Sequence, residues 1–292
     1  MKNYYIDENK IIVTSLKEFN IIHILECGQV FRYKKNQDGY VVYSKDKMAK
    51  ITSYRDKIII ETDDVDYFIN YFDLDTSYAD IKNQLSKFEV LVPMLSDAYG
   101  IRILNQDPFE MIICFIISAN NNIKRIQMII ENICAKFGNY NEKNEFFEFP
   151  SREQLMNASV QDFVDCGAGY RASYLYKVVR ELENFDYDYI RSNSSEISLP
   201  YLLSLSGVGP KVADCILLFG FHKGDVFPVD TWIVKVYNSY FSNELVFDTK
   251  KIRRELTNIF GNLSGYAQQY LFYYKRILEK VNSNWLFFIA VN

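Results

Sequence analysis

The sequence predicts an α+β fold in which an N-terminal antiparallel β-sheet domain precedes a two-lobed helical region. Runs rich in β-branched and aromatic residues, typical of strands, dominate the first 105 residues. From residue 106 onward, apolar residues recur with helical spacing, and the connections are short and polar. We therefore predict a β domain over residues 1–105 and a helical region over residues 106–292.

Five strands and one helical stretch are expected in the N-terminal part. Asp38–Gly39 is a hairpin-type turn between the second and third strands. Residues 67–90 have the pattern of helices. The predicted strands are Lys10–Thr14, Gln29–Tyr33, Tyr40–Tyr43, Met48–Thr52 and Lys57–Thr62.

The helical region is predicted to begin at a capped and buried helix. Asp107 suits the N-cap, Pro108 the first helical position and Glu110 the third position after the cap. Met111–Ile117 is apolar on all sides, as in a helix enclosed by a core. At the other end of the chain, Trp285–Val291 is too short to span a bilayer and is expected to pack back as an added strand.

Composition excludes several classes of protein. With 49% apolar and 24% charged residues, the chain is expected to be globular, and its odd number of cysteines indicates a reducing, intracellular compartment. Its five scattered cysteines lack CxxC spacing, and its two histidines make a histidine metal site improbable. The net charge of −4 weighs mildly against nucleic-acid binding, although a local basic face is sufficient. Residues available for such a face are Lys124, Arg125, Arg171, Lys211, Lys223 and Lys235.

The run Leu205–Cys215 has the order of a tight turn that leads into a helix. Gly207 and Gly209 permit positive φ and close backbone approach, and Pro210 fits the first helical turn. The free N–H groups there would bind a phosphate, with Lys211 beside it. On this short pattern alone, a purely structural turn is the commoner alternative. Asp230 further along is typical of an N-cap.

Several segments together resemble the helix-hairpin-helix (HhH-GPD) DNA glycosylases, in particular the 8-oxoguanine DNA glycosylase/lyase branch. Gly207–Cys215 and Pro228–Asp230 carry the closest likeness, and their lysine and aspartate have the separation found in that branch. The resemblance places the helix-hairpin-helix near residues 199–221. Further matching segments are Gly28–Arg32, Gln106–Glu110, Ser118–Ile126, Gly167–Ala172 and Ala267–Phe272.

The resemblance implies a bifunctional enzyme that flips 8-oxoguanine out of duplex DNA, excises it and nicks the strand. Lys211 would attack the sugar and form a Schiff base, and Asp230 would stabilise the charge that develops on the sugar. The carbonyl of Gly28 would accept the N7 proton that distinguishes 8-oxoguanine from guanine. Cys215, Gln268 and Phe272 would line the base pocket, although a cysteine or aromatic in these patterns is often simply part of a core.

The same resemblance implies that four residues bind the opened duplex. Asn120 would fill the space left by the lesion, and Tyr170 would wedge beside the unpaired base. Arg125 and Arg171 would donate to cytosine opposite the lesion, which gives the preference for that base. Without the resemblance, both arginines would be interpreted as solvated helix residues.

Three positions depart from the family pattern, and all concern the phosphate contact made with Gly207 and Gly209. Trp232 stands where animal members carry a histidine that binds phosphate, and an indole donates only one hydrogen bond. Ser206 replaces the commoner hairpin proline, and Pro210 removes one backbone donor. The two glycines of the hairpin are kept.

No cofactor and no iron–sulfur cluster are expected, because the last cysteine, Cys215, lies well before the C-terminus. The resemblance is compatible with a structural monovalent or divalent cation at the hairpin, and the protein is expected to be a monomer. Its expected location is the cytoplasm or nucleoid of a bacterium or the nucleus of a eukaryote. Two alternatives stay open. One is a monofunctional glycosylase for alkylated bases, which would have no need of Lys211. The other is a non-catalytic helix-hairpin-helix module that only binds DNA.

Overall fold

Six antiparallel strands form the main sheet of the protein, which is known here from a computed structural model that describes residues 3–276. The strand order is β1-β2-β6-β5-β4-β3. A separate two-stranded sheet pairs β7 with β8. The strands are β1 (Tyr4–Asp7), β2 (Lys10–Val13), β3 (Tyr33–Lys35), β4 (Gly39–Ser44), β5 (Lys47–Tyr54), β6 (Lys57–Thr62), β7 (Tyr140–Asn141) and β8 (Phe146–Phe147).

The register of the main sheet follows the apolar alternation of the strands. Ile11 pairs with Ile60, and Ile60 pairs in turn with Ile51, so three fully buried isoleucines lie side by side across the sheet. The predicted hairpin at Asp38–Gly39 is confirmed, since the Asn36 amide donates to the Gly39 carbonyl at 2.8 Å where β3 turns into β4.

The predicted strand Gln29–Tyr33 is wrong for most of its length, because only Tyr33 enters β3. Gln29 is fully buried, and its polar atoms bind an extended segment near residue 105 rather than a neighbouring strand. The sequence analysis also missed β1. The other four predicted strands are present, with bounds that differ by a few residues.

Helices make up most of the remaining chain, as the sequence predicted. The stretch 67–90, which was predicted to be helical, contains parts of two α-helices and of a 3-10 turn. Residues 264–276 are also helical. The bounded helices are α1 (Ile21–Glu26), α2 (Val65–Tyr71), α3 (Tyr78–Leu85), α4 (Val92–Asp97), α5 (Pro108–Ser118), α6 (Ile123–Phe137), α7 (Arg152–Met156), α8 (Val160–Asp165), α9 (Ala172–Glu181), α10 (Tyr187–Ser192), α11 (Ser195–Leu203), α12 (Pro210–Gly220), α13 (Thr231–Tyr240) and α14 (Thr249–Phe260).

Helix α5 is the central helix of its unit. Asp107 caps it by accepting the Glu110 amide at 3.0 Å, and Pro108 occupies the first turn, as predicted. Nearly every residue of α5 is buried, because α12 packs along it. Phe115 of α5 stacks on Phe219 of α12 with ring centroids 5.5 Å apart. A Cβ at Gly220 would lie 3.2 Å from Met111 Cβ, so glycine permits this close helix contact.

The chain divides into two compact units, each assembled from separate stretches of sequence. The first unit holds the residues up to Leu16 together with Gly28–Thr76 and Ile103–Lys223, and therefore both sheets, α2 and α5–α12. The second holds Lys17–Cys27, Ser77–Arg102 and the described residues from Gly224 onward. The predicted boundary between residues 105 and 106 stays a prediction.

The second unit has its own core, built by α3, α4, α13, α14 and the helix of residues 264–276. Ile233, Leu256 and Tyr270 are fully buried in it. Within the described residues, no helix combines the length and the apolar character that crossing a bilayer requires. The expected C-terminal strand at Trp285–Val291 lies outside the described residues.

All five cysteines are buried, and none of them forms a disulfide within the described residues. Burial raises the pKa of the Cys114 thiol far above its ordinary value and that of the Cys134 thiol to about 11. These thiols are therefore protonated side chains of the core.

Candidate active site

The helix-hairpin-helix of the first unit consists of α11, a turn over residues 204–209 and α12. Gly207 has φ +83°, and a Cβ there would lie 2.8 Å from the Cβ of Tyr174. Glycine is thus required at this position both for its backbone conformation and for its size. Gly209 is the N-cap of α12 in an extended conformation and has open space where a Cβ would point.

The first turn of α12 has the properties of an anion site. Gly209 provides no side-chain cap, and Pro210 has no amide hydrogen. The Ala213 amide makes the first intrahelical bond, to the Gly209 carbonyl at 2.9 Å. The amides of Lys211 and Val212 precede that bond in the first turn, where the helix dipole favours negative charge.

Ser206, the residue that replaces the usual proline, binds the hairpin to α9. Its amide donates to Glu181 Oε2 at 2.7 Å and its hydroxyl to Glu181 Oε1 at 2.6 Å. The sequence analysis missed Glu181, because no local signal connects it to the hairpin. This paired contact fixes the turn that precedes Lys211.

Lys211 is half-buried at the start of α12, above an aromatic ring of α5. Its Nζ lies 5.4 Å from the ring centroid of Phe115, within the range of a cation–π contact. Cys215 lies one turn further along α12 and is buried, consistent with its predicted position on the Lys211 face. Phe115 is a second site residue that the sequence analysis missed.

A second group of predicted residues surrounds the end of α5. Arg171 is buried and donates through Nε to the Ala119 carbonyl at 2.9 Å and through Nη2 to the Asn120 carbonyl at 2.8 Å. It also makes a short contact from Nη2 to Ala119. Its guanidinium lies 4.4 Å from the ring centroid of Tyr170, whose hydroxyl donates to the same Ala119 carbonyl at 3.3 Å. In this structure, Arg171 thus fixes the wedge loop, which we define as residues 119–122.

The predicted residues in and beside the wedge loop lie in accessible positions. Asn120 has φ +49°, a left-handed conformation that asparagine adopts more readily than most residues. Tyr170 is 58% exposed. Asn122 caps α6 by accepting the Arg125 amide at 3.0 Å, and the Arg125 Nη2 lies 3.8 Å from where a Cβ of Gly169 would be. Arg125, Tyr170 and Arg171 therefore meet at one turn.

The last turn of α5 connects these two groups. Phe115 lies under Lys211, and Ala119 follows one helical turn later as the acceptor for Arg171. A Cβ at Gly207 would also lie 3.2 Å from Ile116. Lys211, the hairpin and the wedge loop thus all lie next to the last turn of α5.

The remaining predicted residues belong to the second unit, except Gly28. Asp230 caps α13 as predicted, and its Oδ1 accepts the amides of Trp232 at 3.0 Å and Ile233 at 2.9 Å. Trp232 is half-buried, with Lys235 Nζ 4.7 Å from its ring centroid. Gln268 is buried and accepts from Gln269 Nε2 at 2.8 Å, while Phe272 packs against the core of this unit. Gly28, in the first unit, has φ +79°.

Among the described residues, no group of three or more histidine, cysteine, aspartate or glutamate side chains is arranged to hold a metal ion. A cation at the hairpin would need main-chain oxygens. One of these, the Leu205 carbonyl, already accepts the Val208 amide at 3.1 Å.

Comparison with known protein families covers both parts of the chain. Residues 11–112 match the model of the 8-oxoguanine DNA glycosylase N-terminal domain, and residues 113–261 match that of the HhH-GPD superfamily of base excision DNA repair proteins. The chain belongs to the HhH-GPD superfamily, in the branch that carries the 8-oxoguanine DNA glycosylase N-terminal domain. The α+β fold predicted from the sequence is the fold of this branch.

Individual relatives agree with this assignment. The 8-oxoguanine glycosylase/lyase of Clostridium acetobutylicum, solved with DNA that contains cytosine opposite 8-oxoguanine, superposes with a TM-score of 0.90 at 37% identity, over 96% of this chain and 100% of that one. A probable N-glycosylase/DNA lyase of Methanothermobacter thermautotrophicus is 36% identical over 62% of this chain. The N-glycosylase/DNA lyase of Saccharomyces cerevisiae is 31% identical over 70% of it. The match spans 65% of the length of each of the latter two proteins.

Proposed function

We propose that the protein is a bifunctional DNA glycosylase and abasic-site lyase that removes 8-oxoguanine from duplex DNA. The observation that carries the proposal is Lys211, which follows the glycine hairpin at the first turn of α12 and lies against Phe115. A monofunctional glycosylase has no need of an amine at this position. The relatives named as glycosylase/lyase and N-glycosylase/DNA lyase support the same activity.

The proposed reaction begins when the damaged nucleotide leaves the base stack. The Lys211 amine, in its neutral form, attacks C1′ of the sugar while the bond from C1′ to the base breaks, and the base leaves with the bonding electron pair. The sugar ring then opens at O4′ to give an imine between C1′ and Nζ. Loss of a proton from C2′ expels the 3′ phosphate, which nicks the strand. Hydrolysis of the imine releases Lys211.

Asp230 is assigned the role of stabilising the positive charge that develops on the sugar during this step. Its Oδ1 is occupied by two α13 amides, which keeps the carboxylate in a fixed orientation. We further propose that the carbonyl of Gly28 accepts the N7 proton of 8-oxoguanine and that Cys215, Gln268 and Phe272 line the base pocket. The hairpin amides, with Gly207, Gly209 and Trp232, would hold the DNA phosphates.

We propose that the wedge loop and the residues next to it bind the opened duplex. Asn120 and Tyr170 would fill the helix stack, while Arg125 and Arg171 would donate to cytosine opposite the lesion. For Arg171, this requires some of its donors to leave the carbonyls of residues 119 and 120 when DNA binds. We propose that the chemistry needs no cofactor, that any hairpin cation is structural, and that the protein acts as an intracellular monomer.

The test is cleavage of duplexes that carry 8-oxoguanine opposite each of the four bases, with borohydride trapping of the imine. Wild-type protein should release 8-oxoguanine, fastest opposite cytosine, and form a covalent adduct with DNA. Lys211→Gln should lose at least about 1,000-fold in excision, because the nucleophile is absent, while it still binds the lesion duplex.

The other outcomes of this test distinguish the alternatives. Excision without a trapped adduct would indicate a monofunctional glycosylase. Binding that is identical in both proteins, with no excision by either, would indicate a non-catalytic DNA-binding module.

A further inference from the structure

A short extended segment of the first unit, residues 103–106, binds the residue that follows Gly28. Gln29 is fully buried, and its Oε1 accepts the Leu104 amide at 2.9 Å. The Gln106 side chain, also buried, donates from Nε2 to the Gln29 carbonyl at 2.8 Å. Residue 29 is therefore held at its side chain and at its main-chain carbonyl by two residues of one segment.

These two hydrogen bonds restrict the position of the Gly28 carbonyl. That carbonyl belongs to the rigid peptide plane that joins Gly28 to the Cα of Gln29, so it moves when this Cα moves. Gly28 has φ +79° and, as glycine, resists such a displacement little by itself. The resistance comes from Gln29, because a displacement of its Cα would stretch the hydrogen bonds that hold its side chain and its carbonyl.

The same segment is fixed to the helix that carries Lys211. The Gln106 amide donates to the Phe219 carbonyl at 3.0 Å, and the Asn105 amide donates to the Tyr71 carbonyl at 2.9 Å. Phe219 lies on α12, whose first turn holds Lys211, and a helix is stiff over the roughly 12 Å that separates positions 211 and 219. Gln106 thus connects the residue next to Gly28 to the nucleophile helix.

We infer that Gln29 and Gln106 are positioning residues that fix the Gly28 carbonyl for recognition of 8-oxoguanine. The inference rests on the proposed function, in which this carbonyl accepts the N7 proton of the lesion and faces the N7 lone pair of guanine. A hydrogen bond weakens steeply as its distance and angle depart from the ideal, so a displaced carbonyl stabilises the lesion less. The two hydrogen bonds of Gln29 therefore affect which base is recognised and not the chemistry of Lys211.

Gln106→Met tests this inference, because methionine has a similar length, lacks the Nε2 donor and leaves the backbone bond to Phe219 intact. Two rates are measured on each protein: release of 8-oxoguanine from a duplex opposite cytosine in a single turnover, and nicking of a duplex with a preformed abasic site. We expect base release to fall about tenfold, the usual effect of one buried hydrogen bond, while abasic-site nicking changes less than about twofold.

The matched control is Asn105→Met, which makes the same kind of replacement one residue away. The Asn105 side chain donates to the Asn70 side chain at 3.0 Å. It should leave the ratio of the two rates unchanged. A second readout is binding in the Lys211→Gln background, where Gln106→Met should reduce the preference for 8-oxoguanine over guanine duplexes by about tenfold.

The possible results separate this inference from the proposed function. If wild-type protein releases 8-oxoguanine but Gln106→Met reduces both rates equally, or neither, the positioning role is rejected and the function stands. If wild-type protein releases no 8-oxoguanine, the proposed function fails and the inference fails with it. Should Gln106→Met not fold, Gln106→Asn keeps the amide but shortens its reach, and the same two rates decide.

Discussion

The two ends of helix α5 are each fixed by a buried arginine, but the two arginines have different partners. At the first end, Arg32 Nη1 lies 3.5 Å from Glu110 Oε1, and Glu110 Oε2 accepts the Lys45 amide at 2.9 Å. At the second end, the hydrogen bonds that Arg171 makes within residues 3–276 go to main-chain carbonyls, those of Ala119 and Asn120 among them. The charge of Arg32 is neutralised by the Glu110 carboxylate, whereas the charge of Arg171 is stabilised by the dipoles of main-chain carbonyls.

This difference separates a structural contact from one suited to a polyanion. Burial alone would lower the pKa of Arg32, but the charge of the nearby Glu110, with smaller contributions from Cys134 and Cys114, holds this pKa above its ordinary value. The Arg32–Glu110 pair therefore has no net charge. Arg171 keeps a full positive charge at a helix C-terminus, where the dipole favours cations. A net charge therefore remains beside the wedge loop, where we propose that the opened duplex binds.

The largest effect expected from this comparison is at the first end. Arg32→Met leaves the Glu110 carboxylate buried without its charge partner and should lower the free energy of unfolding by about 3–5 kcal/mol. The double substitution Arg32→Met/Glu110→Leu should recover most of that loss, because the charge is removed as well. Urea denaturation measures the free energy of unfolding of the single and the double variant. A single substitution that costs under about 1 kcal/mol would contradict a charged pair.

At the second end, Arg171→Met should cost less stability but more function. The carbonyls of residues 119 and 120 lose their donor, which should lower the free energy of unfolding by about 2–3 kcal/mol. Binding of an 8-oxoguanine duplex should weaken and its salt dependence should decrease, since one cation near the phosphates is lost. Arg171→Lys serves as the charge control and should retain the salt dependence. An unchanged salt dependence in Arg171→Met would show that this end does not attract DNA.

The smallest effect concerns the hairpin that packs on the second end. Gly207→Ala should lower the free energy of unfolding by about 1–3 kcal/mol, because φ +83° is unfavourable for alanine and its Cβ would lie 2.8 Å from Tyr174. Gly209→Ala is the matched control, with φ −92° and open space, and should cost about 0.5 kcal/mol. Thermal unfolding compares the two variants. Equal losses would mean that the close approach to α9 does not constrain the hairpin.

The sequence predicted those features that neighbouring residues determine. The Asp107–Pro108 cap, the glycine hairpin and the Asp230 cap each depend on a few adjacent positions, and the structure has all three. The contacts of Arg32 with Glu110 and of Ser206 with Glu181 join distant parts of the chain, and no local pattern specifies them.

The failure at Gln29–Tyr33 has the same cause. The apolar and aromatic alternation there is typical of a strand, but buried hydrogen bonds from residues 104 and 106 hold Gln29 outside the sheet. For Arg171, the resemblance gave a functional role but not the structural one. The resemblance assigned it to the opposite base, and only the three-dimensional structure shows that it also fixes the loop it would act from.

The buried cysteines have a consequence for the conditions in which such an enzyme works. Guanine is oxidised when oxidants are abundant, and those oxidants attack the thiolate form of cysteine. Every thiol of this chain is buried, and the pKa of Cys134, at about 11, leaves almost no thiolate at neutral pH. Burial therefore shields these side chains from peroxide, a property that suits the proposed removal of 8-oxoguanine under oxidative stress.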